Sequence, residues 1–86
     1  MDSTKIMIAE AVRSFAVEAT PEWTRAAPGE HVAAIDATPG TFRICDTLFD
    51  GEAVVRLQGS NRALPVRVFG RADGRRVEID RFVFAA

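Results

Sequence analysis

Side chains able to do chemistry are few in this chain and stand apart from one another. His31 is the only imidazole and Cys45 the only thiol in 86 residues. A metal site needs several such ligands at close spacing, and His31 has no cysteine or second histidine to complete one. A cysteine nucleophile needs a base and an oxyanion site, and nothing around Cys45 points to either. Ser3, Ser14 and Ser60 read as a helix cap, a helix-surface residue and a turn residue, and no G-x-S-x-G motif occurs. Gly70-Arg71-Ala72-Asp73-Gly74-Arg75-Arg76 looks superficially like a glycine-rich phosphate loop. It lacks the Gly-Lys-Ser/Thr ending and a following helix whose N-terminus would hold the anion, so it reads as a hairpin tip. No catalytic residue, metal or cofactor is expected.

The elements that carry these residues follow from punctuation and periodicity. The spacing of Ile8, Val12, Phe15, Ala16 and Ala19 predicts an amphipathic helix over 3–19, capped by Asp2 or Ser3. Thr20-Pro21-Glu22 is a second start signal: a threonine cap, a proline where no amide is needed, and an acid in the first turn. That helix, 21–27, must stop at Pro28-Gly29. Residues 30–37 suit either a helical turn or a short strand. Trp23 is expected at the junction between this short helix and the core, the alternative being an exposed anchor for a partner.

From residue 41 onward apolar and polar residues alternate between turn signals, which predicts a four-stranded antiparallel meander. A two-residue Asp50-Gly51 turn would pair Phe49 with Glu52, Leu48 with Ala53 and Ile44 with Leu57. A loop over 59–62 would pair Leu57 with Leu64, Val55 with Val66 and Ala53 with Val68. An Asp73-Gly74 turn would pair Val68 with Ile79 and Arg67 with Asp80. Each register sends apolar residues to one face: Phe42, Ile44, Leu48, Val55, Leu57, Leu64, Val66, Val68, Val77, Ile79 and Val83. Covering that face with the first helix makes a single α+β domain, 1–86, of two layers.

Two charges break the pattern, because Asp46 and Arg81 fall on the apolar side. On opposite edge strands they would stand about 14 Å apart, too far to pair. Inward charges at sheet edges discourage a further strand from adding. The other solution is a bulge at Asp80-Arg81, which would send Phe82 and Phe84 inward and Arg81 outward.

Alternation leaves Arg43, Phe49, Val54, Arg56, Arg67, Phe69, Arg71 and Arg76 on the outer face with Glu52, Glu78 and Asp80, joined by Phe82 and Phe84 if no bulge intervenes. Cys45 also falls there, near Arg56. Arginine and aromatic side chains together favour a protein interface. Stacking of single-stranded RNA or DNA bases is the alternative use of such a face. Arg43, Arg56, Arg67, Phe69, Arg71, Arg76, Phe82 and Phe84 are therefore the candidate partner contacts. The C-terminal run Arg81-Phe82-Val83-Phe84-Ala85-Ala86 keeps apolar residues on both faces, which suits pairing with another strand.

Composition narrows the classes. The chain is 48% hydrophobic and 27% charged with a net charge of −1, so it has no global attraction to a polyanion. Residues 1–40 hold three basic and six acidic side chains, whereas residues 41–86 hold eight arginines against six acids. No segment has the roughly 18–20 apolar residues a membrane span needs. The single cysteine and the lack of a secretory pattern fit a cytoplasmic protein. The expectation is a non-enzymatic domain that binds another protein or a copy of itself, such as a small regulator or inhibitor of a larger complex.

Overall fold

The computed structural model describes residues 3–84, so the Asp2 cap and the Ala85-Ala86 end of the C-terminal run lie outside the described residues. Helix α1 covers Ser3–Arg13 and buries Ile8, Ala9 and Val12. It ends six residues earlier than the apolar spacing predicts. Ser14 Oγ donates to the Glu10 carbonyl (2.7 Å), and Ala16 leaves helical geometry at φ −81°, ψ 69°. The departure lets Phe15 stack on Phe82 (5.0 Å between centroids) and buries Val17 in a short 3-10 turn. Helix α2, Pro21–Ala26, begins where its sequence signals place it, with the Thr20 side chain accepting from the Trp23 N–H. Trp23 is buried against Phe84, and its indole N–H donates to the Glu30 carbonyl.

Five antiparallel strands follow: β1 Val32–Ala37, β2 Arg43–Cys45, β3 Leu48–Leu57, β4 Ala63–Ala72 and β5 Val77–Phe84. The sheet runs β1-β3-β4-β5, with β2 pairing the other end of the β3 edge that β1 occupies. The ambiguous segment 30–37 thus supplies a strand. Helix α1 packs across the inner face, and Arg13 ties it to β1 by donating to the Ala37 carbonyl (2.8 Å).

All three hairpins turn at positions other than those read from the sequence. Asp50-Gly51 is not a turn; β3 runs straight through it, and the chain reverses at Asp46-Thr47, with Cys45 opposite Leu48. Asp46 takes the left-handed conformation at φ 56°, which aspartate tolerates in a turn. Gly51 has no positive φ and is needed for room instead. A Cβ there would lie 2.9 Å from Cγ and Cε1 of Phe42, and closer still to Cδ1. Continuity of β3 reverses two assignments: Phe49 is buried inside and Leu48 is exposed outside.

Val55 pairs Leu64, so the second loop is displaced by one residue and partners shift by two. A two-position shift preserves the face of every side chain, and Val66 and Val68 remain inside. Pro65 sits opposite Val54. Alternation from the hydrogen bond of Leu57 N–H to the Arg62 carbonyl turns its missing donor toward β5, whose described pairing begins at Val66–Phe84. The third turn centres on Gly74-Arg75 with Ala72 opposite Val77.

The register of β4 with β5 then shifts by one residue: Gly70 faces Ile79, but Phe69 faces Arg81. This is the bulge, and it buries Phe82 (1% exposed) while Arg81 points outward. Inward edge charges are therefore absent among the described residues, where no buried residue is polar or charged. Val83 also moves outside. Phe42, Phe82, Ile8, Val12, Val17, Val55 and Val68 form the centre of the core, each contributing roughly 1.5–3 kcal/mol by leaving water.

Candidate functional site

β3, β4 and β5 present the outer face, which no described helix covers. Asp50 sits opposite Phe69, Glu52 opposite Arg67 and Val54 opposite Pro65. Phe69 lies at its centre, half-buried beneath two guanidinium groups. Arg81, directly across on β5, is 5.2 Å from the ring centroid and Arg67 is 5.8 Å away. Such stacking holds an arginine flat against the sheet while leaving its edge free to donate.

Around this centre the arginines alternate with acids. Arg43 makes a two-pronged contact with Asp50 (3.2 and 3.3 Å), and Asp50 also meets Arg67 at 3.5 Å. Arg67 reaches Glu52 at 3.6 Å, and Arg71 reaches Asp80 at 3.6 Å and Glu78 at 3.9 Å. Arg76 joins Glu78 at 3.4 Å, and Arg56 stands apart with Asp36 at 2.6 Å. The Arg67–Asp80 pair inferred from the sequence does not form, because the displaced turn and the bulge together place Val83 opposite Arg67. Solvent-exposed pairs of this kind add little stability, so their consequence is orientation of the guanidiniums.

Two hollows flank the ladder. One, of about 450 Å³, is bounded by Leu48, Phe69, Arg43, Cys45, Asp50 and Asp80. The other, of about 500 Å³, lies over Val54, Pro65 and Val83 beside Thr38, Thr41 and Arg67. Leu48 is 59% exposed and Val83 39%, the two large aliphatic side chains most open to water among the described residues.

Of the residues singled out in the sequence, Arg43, Arg67, Phe69, Arg71 and Arg76 gather on this face and Arg56 lies toward its β1 side. Phe82 is in the core, and Phe84 packs on Trp23, so neither belongs to the outer surface. Leu48, Val83 and Arg81 join it instead. A bulge at Asp80-Arg81 sends Arg81 outward, as the alternation allows, whereas an Asp50-Gly51 turn would send Leu48 inward and so hides it from a sequence pattern.

The remaining reactive types sit elsewhere or alone. His31 Nδ1 donates to Glu18 Oε1 at 3.0 Å, and Glu18 Oε2 accepts from the Val32 N–H at 3.2 Å. These contacts, the histidine first, hold the Glu18 carboxyl below its ordinary pKa. Asp73 is lowered likewise by the backbone N–H groups of Arg75 and Arg76 at the hairpin tip. Cys45 is exposed opposite Leu48, whereas Arg56 lies opposite Ala34 and Ala63, so the expected neighbourhood of the two is absent. Among the described residues no group of three His, Cys, Asp or Glu could hold a metal ion. No described helix is long and apolar enough to cross a membrane.

No family model, curated protein or solved structure matches this chain.

Proposed function

We propose that this chain is a non-enzymatic protein-binding module that makes contact through its outer sheet face and the β5 strand. The observation that carries the reading is the composition of the uncovered face: Leu48, Val54, Pro65, Phe69 and Val83 interleaved with oriented arginines. Apolar anchors beside arginine are the residue types that dominate binding free energy at protein interfaces. Leu48 and Val83, large aliphatic side chains left open to water on the same sheet face, favour a partner over permanent solvation. The pre-positioned guanidiniums lose little freedom on donating to neutral backbone carbonyl groups.

The size of the domain suits a small regulator or inhibitor of a larger complex, and the lone exposed thiol suits a cytoplasmic setting. Single-stranded nucleic acid is the weaker reading. Arg43, Arg67, Arg71 and Arg76 already face carboxylates, which would repel a phosphate chain.

The test compares proteins retained from lysate by the wild-type chain, by Leu48→Asp and Val83→Asp, and by the helix-surface variant Glu10→Arg. A partner retained by wild type and Glu10→Arg but lost from both sheet-face variants supports the reading. Equal retention by all four contradicts it. An oligonucleotide that binds tightly and loses affinity steeply with salt would favour the alternative.

A further inference from the structure

β5 ends the sheet, and no described strand lies beyond it. Its inward side chains, Val77, Ile79, Phe82 and Phe84, are all apolar, so the edge lacks the inward charge that commonly blocks strand addition. The bulge has a second effect here. It sets Asp80 and Arg81, adjacent in sequence, on the same outer face, where Asp80 meets Arg71 and Arg81 lies over Phe69. Arg81 has no carboxylate within 4.0 Å among the described residues.

We propose that two copies of this chain associate by antiparallel pairing of their β5 edges about a two-fold axis between Asp80 and Arg81. In that register Asp80 stands opposite the partner's Arg81, and symmetry repeats the pair. Ile79 then faces the partner's Phe82, Val77 the partner's Phe84, and Glu78 the partner's Val83. Every opposed pair shares a face, inner with inner and outer with outer. Only a bulge allows this, because in a regular strand Asp80 and Arg81 would point to opposite sides.

The backbone agrees with that register. Alternation from the hydrogen bond of Asp73 N–H to the Arg76 carbonyl turns the peptide groups of Val77 and Ile79 toward the open edge. The same alternation through β4 turns those of Phe82 and Phe84 that way. The 79/82 and 77/84 pairs are thus hydrogen-bonded, and the 80/81 pairs are the closely spaced kind in which side chains meet.

A separate feature supplies room. A hollow of about 500 Å³ lies between α2 and the β5 edge, floored by Ala26, Leu64, Phe82 and Phe84 with Glu22 and Arg25 at its rim. It lies where the partner's Val77 and Ile79 would enter, and both side chains are only half-buried in a single chain. Association of identical chains through one self-complementary patch is the commonest form of assembly.

This inference rests on the reading of β5 as a contact strand and names a second copy as its partner. The test is sedimentation equilibrium of the full chain from about 1 µM to about 1 mM, with circular dichroism confirming that each variant is folded. The wild-type mass should rise with concentration from 9.4 kDa to twice that value. Asp80→Arg and Arg81→Asp should each weaken association at least about tenfold, because like charges then face one another. The double variant Asp80→Arg/Arg81→Asp restores opposite charges and should recover it. A mass of 9.4 kDa throughout, single variants that associate like wild type, or a double variant no better than the singles would each overturn the proposal. Failure here with partner retention still dependent on Leu48 and Val83 would leave the broader binding reading standing. Self-association without that dependence would reverse the outcome.

Discussion

Alanine in place of Gly51 should destabilise the domain, although alanine normally suits a strand better than glycine does. An added Cβ would lie 2.9 Å from Cγ and Cε1 of Phe42 and nearer still to Cδ1, whereas carbon atoms rest at about 3.5–4.0 Å. Phe42 has no space to retreat into, being fully buried and packed edge-on against Phe49 at 6.0 Å. Overpacking of this kind costs about 1–3 kcal/mol. The stiffer unfolded chain offsets about 0.4–1 kcal/mol of it. The net loss is about 1.3 kcal/mol at mid-range and at most about 2.6 kcal/mol, the mid-range value being a fall in Tm of about 5–10 °C for a chain of this length. Denaturant unfolding of four proteins measures it: wild type, Gly51→Ala, Phe42→Leu and the double variant. Leucine vacates the space the new methyl needs, so the double variant should be more stable than the sum of the single effects implies, by at least about 0.5 kcal/mol. Additive effects would refute the reasoning, because that is the outcome if residues 50 and 51 form an open turn.

Other consequences are independent of this one. Gly70→Ala should be the more damaging glycine substitution, since its Cβ would strike the Glu78 carbonyl oxygen as well as the Phe49 ring, and backbone yields less than a side chain; the same unfolding assay reads it. Leu48→Asp should leave stability within about 0.5 kcal/mol of wild type, whereas Phe49→Ala should cost about 3–5 kcal/mol; the reverse order would mean that β3 does not run through Gly51. Thr20→Ala removes the cap on α2 and should cost about 1 kcal/mol. Glu18 has a lowered folded-state pKa, so its contribution to stability is complete above its ordinary unfolded value and fades as pH falls through the lower folded value. Glu18→Gln should accordingly flatten part of the acid limb of stability against pH. Asp73, lowered by its two backbone donors, contributes in the same sense and accounts for some of the slope that remains.

The layers of the fold were legible because helical spacing and strand alternation survive errors in the turns. The 58–61 loop illustrates why: its displacement moved each cross-strand partner by two positions, which changes neighbours without changing faces. Asp50-Gly51 was misleading for a tertiary reason. Asp-Gly is a strong local turn signal, but a turn there would strand Phe49 in water and deny Phe42 its place over Gly51. Burying two phenylalanines outweighs the preference of a dipeptide. Five of the arginines and Phe69 were placed correctly on the outer sheet because their parity depends on β4, on the ends of β2 and β5 and, for Arg56, on the part of β3 beyond the false turn. Leu48 and Val83 were hidden, the first by the false turn and the second by the bulge, which sequence allowed but did not select.

The claim on which the account turns is that partners meet the uncovered sheet face, and photo-crosslinking tests it most directly. A benzophenone side chain would replace Leu48 in one sample and Ser14, exposed beyond the end of α1, in another, both irradiated in lysate. Adducts formed from position 48 and absent from position 14 are the predicted result. Adducts from position 14 alone, or equally from both, would contradict it.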